Sequence, residues 1–476
     1  MKQSAMAKWA GAGIALLLAA GIAWAAGTDN PVVKLDPADN EAAVMAKAVQ
    51  VRPTPRQLAW QRMEFAAFAH FGMNTFTGKE WGDGTESEKL FNPTDFDADQ
   101  WAAAIKAGGM KMLVVTAKHH DGFCLWPSAY TEHSVKNSPW RGGKGDVIRE
   151  LADACRRHGL KFGIYLSPWD RHEKTYGTAA YNDYYKNQLR ELLTNYGEVS
   201  DVWMDGAGRG EAHDRMVKLY DWAGFFALIR QLQPNATISM QGPDVRWVGN
   251  ESGLGRETEW SVLPASGAGI DMIGKDLGSR AILMAAAARG DGLAWQPAEV
   301  DVSIRPGWFY HKWQDLMVRS APNLVNIYFS SVGMNSLLLL NLPPDKHGRI
   351  NGRDAAAVAG LKRWLDRAFA EDLAAGAEAK RQPNEIELKL SGVKKFNCVA
   401  LQEDITQGQR VEEWALEAYR GGQWTEVARG TTIGYKRLVR FPAASADRVR
   451  LRVLRSRAEA VVSAFGLYLT PSARVL

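Results

Sequence analysis

The sequence predicts an α/β fold: a (β/α)8-like TIM barrel over residues 51–375, followed by an all-β antiparallel sandwich over residues 376–476. From residue 60 to residue 340, short apolar runs alternate with amphipathic helical segments, as in parallel strand–helix units. No Gly-x-Gly-x-x-Gly follows the first strand, which disfavours the alternative of a doubly wound open sheet. After Pro383 the pattern changes to short alternating strands separated by turns.

The first strand–helix units can be placed along the chain. A strand buried on both faces reads as an unbroken apolar run, and a surface helix carries apolar residues at helical spacing. Asp146 and Gly159 mark the start and the stop of one helix. On these patterns the strands are residues 65–76, 112–116, 162–167, 201–205 and 237–240, and the helices are residues 97–108, 146–158, 184–196 and 220–232.

The alternation of strands and helices becomes less regular over residues 249–292, where longer loops are inserted. The last barrel elements are a helix within residues 314–329, interrupted near Pro322, and a buried strand at residues 337–340. A helix at residues 353–369 leads out of the barrel. The strands predicted for the sandwich are residues 386–390, 398–401, 415–419, 438–441 and 449–453.

Composition excludes several classes of function. Hydrophobic residues make up 46% of the chain and charged residues 23%, as in an ordinary soluble globular protein. The formal charge of +5 is too small and too dispersed to indicate nucleic-acid binding. Three cysteines form no disulfide framework, and no Cys-x-x-Cys or His-Glu-x-x-His spacing indicates zinc. Eighteen tryptophans favour a cleft on which sugar rings can pack, although most are expected in the core.

The N-terminus has the features of a secretory signal peptide over residues 1–25. Two lysines supply positive charge, residues 10–22 are apolar, and the sequence AWA at residues 23–25 fits the small-x-small cleavage rule. We therefore expect cleavage after Ala25 and a periplasmic or extracellular protein that is free of the membrane once the signal is removed. Residues 26–50, which are polar and rich in alanine, are expected to form an exposed leader.

The run DVWMDG, residues 201–206, ends in a carboxylate followed by glycine. Strand alternation puts Asp201, Trp203 and Asp205 on one side, with Asp205 at the carboxyl end of the strand. In (β/α) barrels that end carries the chemistry and the opposite end carries stability. We therefore interpret Asp205 as catalytic and Asp201 as structural. The alternative is that Asp205 caps the following turn, as Asp-Gly often does.

Four successive strands end in polar or aromatic side chains, at His70, at His119 with His120, at Tyr165 and at Asp205. Each could be an ordinary core residue, but the carboxyl ends of barrel strands share one face, so together they predict a pocket. The adjacent histidines also suggest a metal centre. Because neighbouring residues of a strand point to opposite sides, this pair alone is a poor set of ligands for one ion.

A carboxylate that attacks a sugar needs a second carboxyl group as acid and base, about 5–5.5 Å away in retaining glycosidases. The candidates are Glu251, Glu257 and Glu259, all in the insertion after the fifth strand. Glu251 lies in a Gly-Asn-Glu-Ser-Gly loop that can fold over the pocket, and we favour it. The other two are then loop charges.

Several short strings carry a family likeness. The strings HFG (residues 70–72), EWG (80–82), KHHDGF (118–123) and VWMDG (202–206) resemble glycoside hydrolase family 29, the retaining α-L-fucosidases. The strings LSPWDR (166–171), GPDVRWVGNE (242–251) and SIRPGWFY (303–310) are similar to its α-1,3/1,4-specific branch. The resemblance covers roughly residues 50–350 and rests on several separate strings.

The resemblance implies that Asp205 is the nucleophile, which forms a covalent fucosyl-enzyme, and that Glu251 is the acid/base. It implies no cofactor and no metal, and a fucosylated oligosaccharide or glycoconjugate as substrate. Residues 207–211, near the leaving-group side, are idiosyncratic in this chain. The implied substrate-binding residues are His70, Glu80, Trp81, His119, His120, Tyr165 and, beside the nucleophile, Trp203, with Arg246 and Trp308 as weaker candidates.

Three alternatives remain on the sequence alone. A broad-specificity α-L-fucosidase would share the site without the linkage preference. A metal-dependent barrel hydrolase would use His119, His120 and Asp205 as ligands. A secreted sugar-binding protein would bind through the sandwich and carry an inactive barrel. The presence of both Asp205 and a glutamate-bearing loop favours an enzyme.

Overall fold

The computed structural model describes residues 29–266 and 276–472. The predicted signal peptide, residues 1–25, lies outside these residues. Within the part of the chain that is described, no helix is long and apolar enough to cross a membrane.

Eight parallel strands form the predicted barrel, which the structure confirms. The strands up to residue 341 are β1 (Val33–Lys34), β2 (Phe65–Ala69), β3 (Met112–Lys118), β4 (Lys161–Leu166), β5 (Asp201–Met204), β6 (Thr237–Met240), β7 (Arg246–Trp247), β8 (Val262–Pro264), β9 (Gly292–Trp295), β10 (Ala298–Ser303) and β11 (Ser336–Asn341). The barrel strands lie side by side in the order β6-β5-β4-β3-β2-β11-β10-β7. A parallel bridge between Ser239 and Val245 joins the two edges, so the barrel is nearly closed.

Helices alternate with the barrel strands along the chain. They are α1 (Glu41–Ala48), α2 (Pro55–Gln61), α3 (Met73–Thr77), α4 (Ala98–Ala107), α5 (Val147–His158), α6 (Tyr181–Asn195), α7 (Glu211–Met216), α8 (Trp222–Leu232), α9 (Arg280–Ala288), α10 (Ala321–Ser330) and α11 (Gly352–Ala368). Helix α5 begins and ends as predicted. The Asp146 carboxylate accepts the Arg149 amide hydrogen at 2.9 Å, and Gly159 ends the helix in the left-handed conformation, with φ of 70°.

Two predicted elements differ from the structure. The first strand stops at Ala69 rather than continuing to residue 76, because the His70 amide hydrogen is donated to the side chain of Asn341 and not to the backbone of a neighbouring strand. Pro322 does not interrupt a helix. It lies in the first turn of α10, where the amide hydrogen that proline lacks would have had no partner within the helix.

Strand alternation separates the barrel interior from the layer that faces the helices. Tyr165 and Trp203 point into the barrel, whereas Ile164 and Val202 belong to the outer core. Asp201 is fully buried, and its Oδ1 accepts hydrogen bonds from two hydroxyl side chains of β6 at 2.5 and 2.6 Å. Because Asp201 lies at the amino end of β5, it sits below the face that carries the strand ends.

The expectation that residues 26–50 form an exposed leader is wrong for the part that the structure describes. Strand β1 pairs with β9 in a small antiparallel sheet that also contains β8. Helix α1 packs on this unit and on α9 through Val44, Met45 and Ala48, which are buried. The segment folds because α1 presents an apolar face despite its alanine-rich composition, and the 249–292 insertion supplies the surface that covers this face.

The C-terminal region is an antiparallel all-β domain, as predicted. Its strands are β12 (Glu378–Gln382), β13 (Glu385–Glu403), β14 (Val411–Arg420), β15 (Gln423–Gly430), β16 (Arg437–Ser456) and β17 (Val462–Tyr468). Two pairs of predicted short strands are continuous, since residues 386–401 all belong to β13 and residues 438–453 to β16. Register shifts between Lys389 and Lys394 and between Phe396 and Cys398 interrupt the pairing of β13 without ending the strand.

Candidate active site

The candidate site lies at the carboxyl ends of the barrel strands. The structure brings the predicted strand-end residues together there, since the aromatic rings of His70, His119 and Tyr165 lie with their centroids 5.7 to 5.8 Å apart. Asp205 follows β5 directly and is bonded to the Tyr165 hydroxyl. The prediction that these strand ends form one cluster is therefore correct for the geometry.

Asp205 is held by bonds to both carboxylate oxygens. The Tyr165 hydroxyl donates to Oδ2 at 2.8 Å, and the Ala207 amide donates to Oδ1 at 2.7 Å. The His120 Nε2 atom is 3.7 Å from Oδ2. Asp205 thus caps the Asp-Gly turn and also faces the pocket, so the two interpretations of this residue describe the same geometry. Its side chain keeps 16% of its surface exposed, which leaves it accessible to a ligand.

The protonation of His70 follows from its neighbour Asn341. The Asn341 Oδ1 atom accepts the His70 amide hydrogen at 3.1 Å, while Asn341 Nδ2 donates to the hydroxyl of Ser303 and to the carbonyl of Trp308. The oxygen therefore faces His70 Nδ1, 3.0 Å away, and this nitrogen carries the hydrogen. Burial lowers the pKa of His70 to about 4, so the ring is neutral and Nε2 is a hydrogen-bond acceptor.

Asn74 fixes His119 in the tautomer opposite to that of His70. The Asn74 amide nitrogen donates to the carbonyl of Glu80 at 3.1 Å and contacts His119 Nδ1 at 3.3 Å. His119 Nδ1 is therefore an acceptor, and Nε2 carries the hydrogen. Burial, with a smaller contribution from the neighbouring histidines, holds the pKa of His119 well below its usual value, so this ring is neutral and acts as a donor.

Ser167 fixes the tautomer of His120. The Ser167 hydroxyl donates to the Trp169 carbonyl at 2.6 Å and accepts from His120 Nδ1 at 2.7 Å. Burial lowers the pKa of His120 to about 4, so Nε2, near Asp205, is an acceptor. The three buried histidines thus offer two acceptors and one donor for hydroxyl groups, without adding a positive charge.

Asn341 was missed by the sequence, and it gives a testable prediction. Asn341→Ala removes the acceptor of the His70 Nδ1 hydrogen, and a buried donor left without a partner costs about 1–3 kcal/mol. We expect kcat/KM to fall about 10- to 100-fold. The nitrogen signals of His70 in ¹⁵N-labelled protein should show mixed tautomers in the variant and a single tautomer in the wild type. An unchanged tautomer would contradict the assignment.

Glu80 organises one wall of the pocket. Its Oε2 accepts the Trp308 amide hydrogen at 2.8 Å, and its Oε1 bonds His311 Nε2 at 2.7 Å. This carboxylate therefore fixes residues 308–311, and the Trp308 ring lies 5.0 Å from the His70 ring. Sequence reasoning placed Glu80 and Trp308 in one pocket, and the structure shows that they are bonded to each other.

Trp81 and Arg209 form another wall of the pocket. The Trp81 ring meets the His120 ring edge-on at 5.6 Å, and the Arg209 guanidinium lies 4.9 Å from the Trp81 ring centre. Beyond them an open cavity of about 630 Å³ extends over Trp169, Arg171 and residues 209–212. The idiosyncratic segment after Asp205 therefore lines free volume next to the site.

Two buried carboxyl groups on β10 support the pocket from below, and sequence reasoning missed both. Glu299 accepts the Trp203 indole hydrogen at 2.6 Å, and Trp203 stacks on Tyr165 with a centroid distance of 5.3 Å. Asp301 accepts the Trp247 indole hydrogen at 2.7 Å. Burial holds the pKa of both carboxyl groups well above the usual range. Acidic residues at alternate positions of an otherwise apolar strand were the available signal.

Of the three candidate glutamates, Glu251 is the one that reaches the pocket. The Trp308 indole donates to its Oε2 at 3.4 Å. Glu251 is solvent-accessible, but its carboxyl end is partly enclosed. This desolvation raises its pKa above the usual range, and the charges of Asp205 and Glu80 add to the effect. The hydrogen bond from Trp308 opposes the shift.

Glu259 and Glu257 lie elsewhere. Glu259 is buried in ion pairs with Arg246 and Arg256. Glu257 is exposed, and its carbonyl accepts from Thr431 in the C-terminal domain at 2.8 Å. Neither carboxylate contacts a pocket residue in the part of the chain that the structure describes.

The placement of Arg246 in the sugar pocket is wrong. Arg246 and Trp247 alternate on β7, so that Trp247 points inward to Asp301 and Arg246 points outward. The Arg246 guanidinium is buried against Glu259 and donates to the carbonyl of Trp260 at 3.1 Å. It therefore stabilises the insertion rather than a ligand.

Comparison with known proteins identifies the family of the chain. A family model described as Alpha-L-fucosidase matches residues 41–368. The chain is 41% identical over 453 residues to Alpha-L-fucosidase 1 of Arabidopsis thaliana, covering 88% of this chain and 87% of the plant protein.

Two solved structures are also similar. One is a glycoside hydrolase 29 family member from an unknown rumen bacterium, with 43% identity and a TM-score of 0.80, covering 88% of this chain and 78% of that one. The other is a Ruminococcus gnavus GH29 fucosidase in complex with fucose, with 28% identity and a TM-score of 0.76, covering 92% and 99%. The chain therefore belongs to glycoside hydrolase family 29, the α-L-fucosidases.

Proposed function

We propose that this α-L-fucosidase is exported and removes α-1,3- and α-1,4-linked fucose from branched oligosaccharides with retention, through a fucosyl-enzyme formed on Asp205. The observation that carries the mechanism is the environment of two carboxyl groups. Asp205 receives hydrogen bonds on both oxygens, as suits an anion, whereas the pKa of Glu251 is raised, as suits an acid.

In the first step, an Asp205 oxygen attacks the anomeric carbon of fucose. The bond from that carbon to the leaving oxygen breaks, and Glu251 gives its proton to the leaving oxygen. In the second step, Glu251, now a carboxylate, takes a proton from water. The water oxygen attacks the same carbon and displaces Asp205, which restores the original configuration. The bonds from Tyr165 and Ala207 hold Asp205 in place for both steps.

The neutral histidines orient the sugar hydroxyls. His70 and His120 accept hydroxyl hydrogens at Nε2, and His119 donates from Nε2, so each fixes the direction of one hydrogen bond. Trp308 and Phe309 beside His70 provide an apolar wall that suits the fucose methyl group.

The linkage proposal is supported by where the two branch-like strings lie. Residues 242–251 supply Glu251 and residues 303–310 supply Trp308, and these side chains are bonded to each other. The cavity lined by Trp169, Arg171 and Arg209 adjoins the site and offers room for a second substituent of a branched substrate. Export is supported by the charge and apolar pattern of residues 1–25.

A substrate panel tests linkage and stereochemistry together. We expect α-1,3- and α-1,4-fucosylated oligosaccharides to be cleaved with higher kcat/KM than α-1,2- or α-1,6-linked ones, because the branch-like strings supply Glu251, which protonates the leaving oxygen, and Trp308, which is bonded to it. Proton NMR should show α-fucose as the first product. Activity confined to linear α-1,2 substrates would contradict the linkage proposal, and β-fucose as the first product would contradict the mechanism.

A further inference from the structure

The rim of the active site carries an exposed apolar patch whose members are Trp313, Leu316 and Met317, here called the rim patch. Their exposed fractions are 68%, 83% and 47%. Single exposed apolar residues are common on protein surfaces, but three within five residues at the mouth of a pocket are not. The rim patch lies in the loop after β10, which leaves the barrel on the face that carries the strand ends.

The rim patch continues the wall of the catalytic pocket. The Trp313 ring lies 6.0 Å from the His311 ring, and His311 is bonded to Glu80. The same loop supplies Trp308, which donates to Glu251. Since Glu251 delivers its proton to the leaving oxygen, this loop borders the part of the substrate that departs.

Two ion pairs and a hydrogen bond hold the loop below the rim patch. Arg305 is fully buried and pairs with Asp315 at 2.9 Å and with Asp354 at 2.8 Å. The Tyr310 hydroxyl also donates to Asp315, at 3.2 Å. Because these bonds fix the backbone on both sides of Trp313, the indole is presented to solvent by a fixed frame.

We propose that Trp313 is a platform for a sugar ring of the oligosaccharide that carries the fucose, with Leu316 and Met317 extending the apolar surface. Pyranose rings present C–H groups on their faces, and a rigid exposed indole binds such a face at little entropic cost. The inference rests on the proposed direction of the leaving group. It assigns to this enzyme a binding site for the saccharide beyond the scissile bond, separate from the fucose pocket.

The test compares an oligosaccharide with α-L-fucosyl fluoride, whose leaving group is a single atom and cannot reach the rim patch. For Trp313→Ala we expect the ratio of kcat/KM for the best-cleaved oligosaccharide to that for the fluoride to fall about tenfold, the size of one good contact. Trp313→Phe should recover part of the ratio because it keeps an aromatic face. Val393→Ala, which truncates a 72% exposed residue of the C-terminal domain, is the matched control and should leave the ratio unchanged.

A second measurement does not depend on linkage. The saccharide left after defucosylation of the best-cleaved oligosaccharide should inhibit hydrolysis of the fluoride, and Trp313→Ala should raise its inhibition constant about tenfold. Failure of the linkage proposal would change which oligosaccharide is best cleaved but not this shift. Absence of inhibition of the wild type, or equal losses on both substrates, would overturn the platform. So would a dimer that Trp313→Ala dissociates in sedimentation without changing the ratio, which would assign the patch to a second copy of the chain.

Discussion

Asp205→Asn is expected to lower kcat by about 10⁴-fold or more, the size seen when a nucleophile is removed. The amide is a very poor nucleophile and cannot form the fucosyl-enzyme. The substitution keeps the shape of the side chain and one oxygen that can accept the Tyr165 or Ala207 hydrogen, so the fold should be retained. Steady-state kinetics with a fucoside, together with a thermal melt, measure both expectations.

Asp201→Asn is the matched control, because it makes the same change four residues earlier, at the amino end of β5. Burial raises the pKa of Asp201 to about 7, whereas an unfolded aspartate has a pKa near 4. The folded state therefore binds the proton more tightly, and the wild type loses stability as pH rises from about 4 to 7. Asp201→Asn should make the melting temperature fall less steeply over that range and leave turnover largely intact.

The comparison of the two variants can fail in a defined way. If folded Asp201→Asn lost more turnover than Asp205→Asn, the assignment of chemistry to the carboxyl end of β5 would be wrong. Mass spectrometry after rapid quenching offers a direct check, since fucose should be attached to Asp205 in the wild type during turnover.

Glu251→Ala is expected to show the second largest effect, and the effect should depend on the leaving group. Loss of a general acid costs about 10²–10⁴-fold when the leaving group is poor, as in a natural oligosaccharide. An aryl fucoside should lose much less in the first step, because a phenolate departs without help. The fucosyl-enzyme would then lack its base, and added azide should restore turnover by displacing Asp205 in place of water, which gives α-fucosyl azide.

The control for Glu251 is Glu257→Ala, because Glu257 is exposed and lies away from the pocket. It should show neither leaving-group dependence nor azide rescue. Glu259→Ala is a poorer control, since it removes the buried carboxylate that pairs with Arg246 and Arg256, and breaking such a pair costs about 3–5 kcal/mol of stability. Azide rescue of Glu257→Ala, with none for Glu251→Ala, would move the acid/base role to Glu257.

The pH profile gives an independent check on Glu251. Since its pKa is raised, the acid should keep its proton to higher pH than an ordinary glutamate. Activity on oligosaccharides should fall on the alkaline side as Glu251 loses this proton. Glu251→Ala should remove that alkaline limb for an aryl fucoside.

The sequence by itself determined the barrel, the antiparallel C-terminal domain and the strand ends that meet at one face. Apolar runs, helical spacing and cap residues are local properties, and they report directly on strands and helices. The direction of the strand in DVWMDG separated Asp201, at its amino end, from Asp205, at its carboxyl end, before any contact was known. A proline can either interrupt a helix or lie in its first turn. For Pro322 we predicted an interruption, and the structure shows the first turn.

Only the tertiary structure decided which polar side chains meet. Asn341 sets the protonation of His70 from 271 residues away, and Glu80 holds His311 from 231 residues away. Arg246 points away from the predicted pocket and pairs with Glu259. Glu251 differs from the other two candidate glutamates because it contacts Trp308. The physical reason is that a hydrogen bond or an ion pair depends on distances of about 3 Å between atoms of different strands and loops. Periodicity along one strand contains no information about those distances.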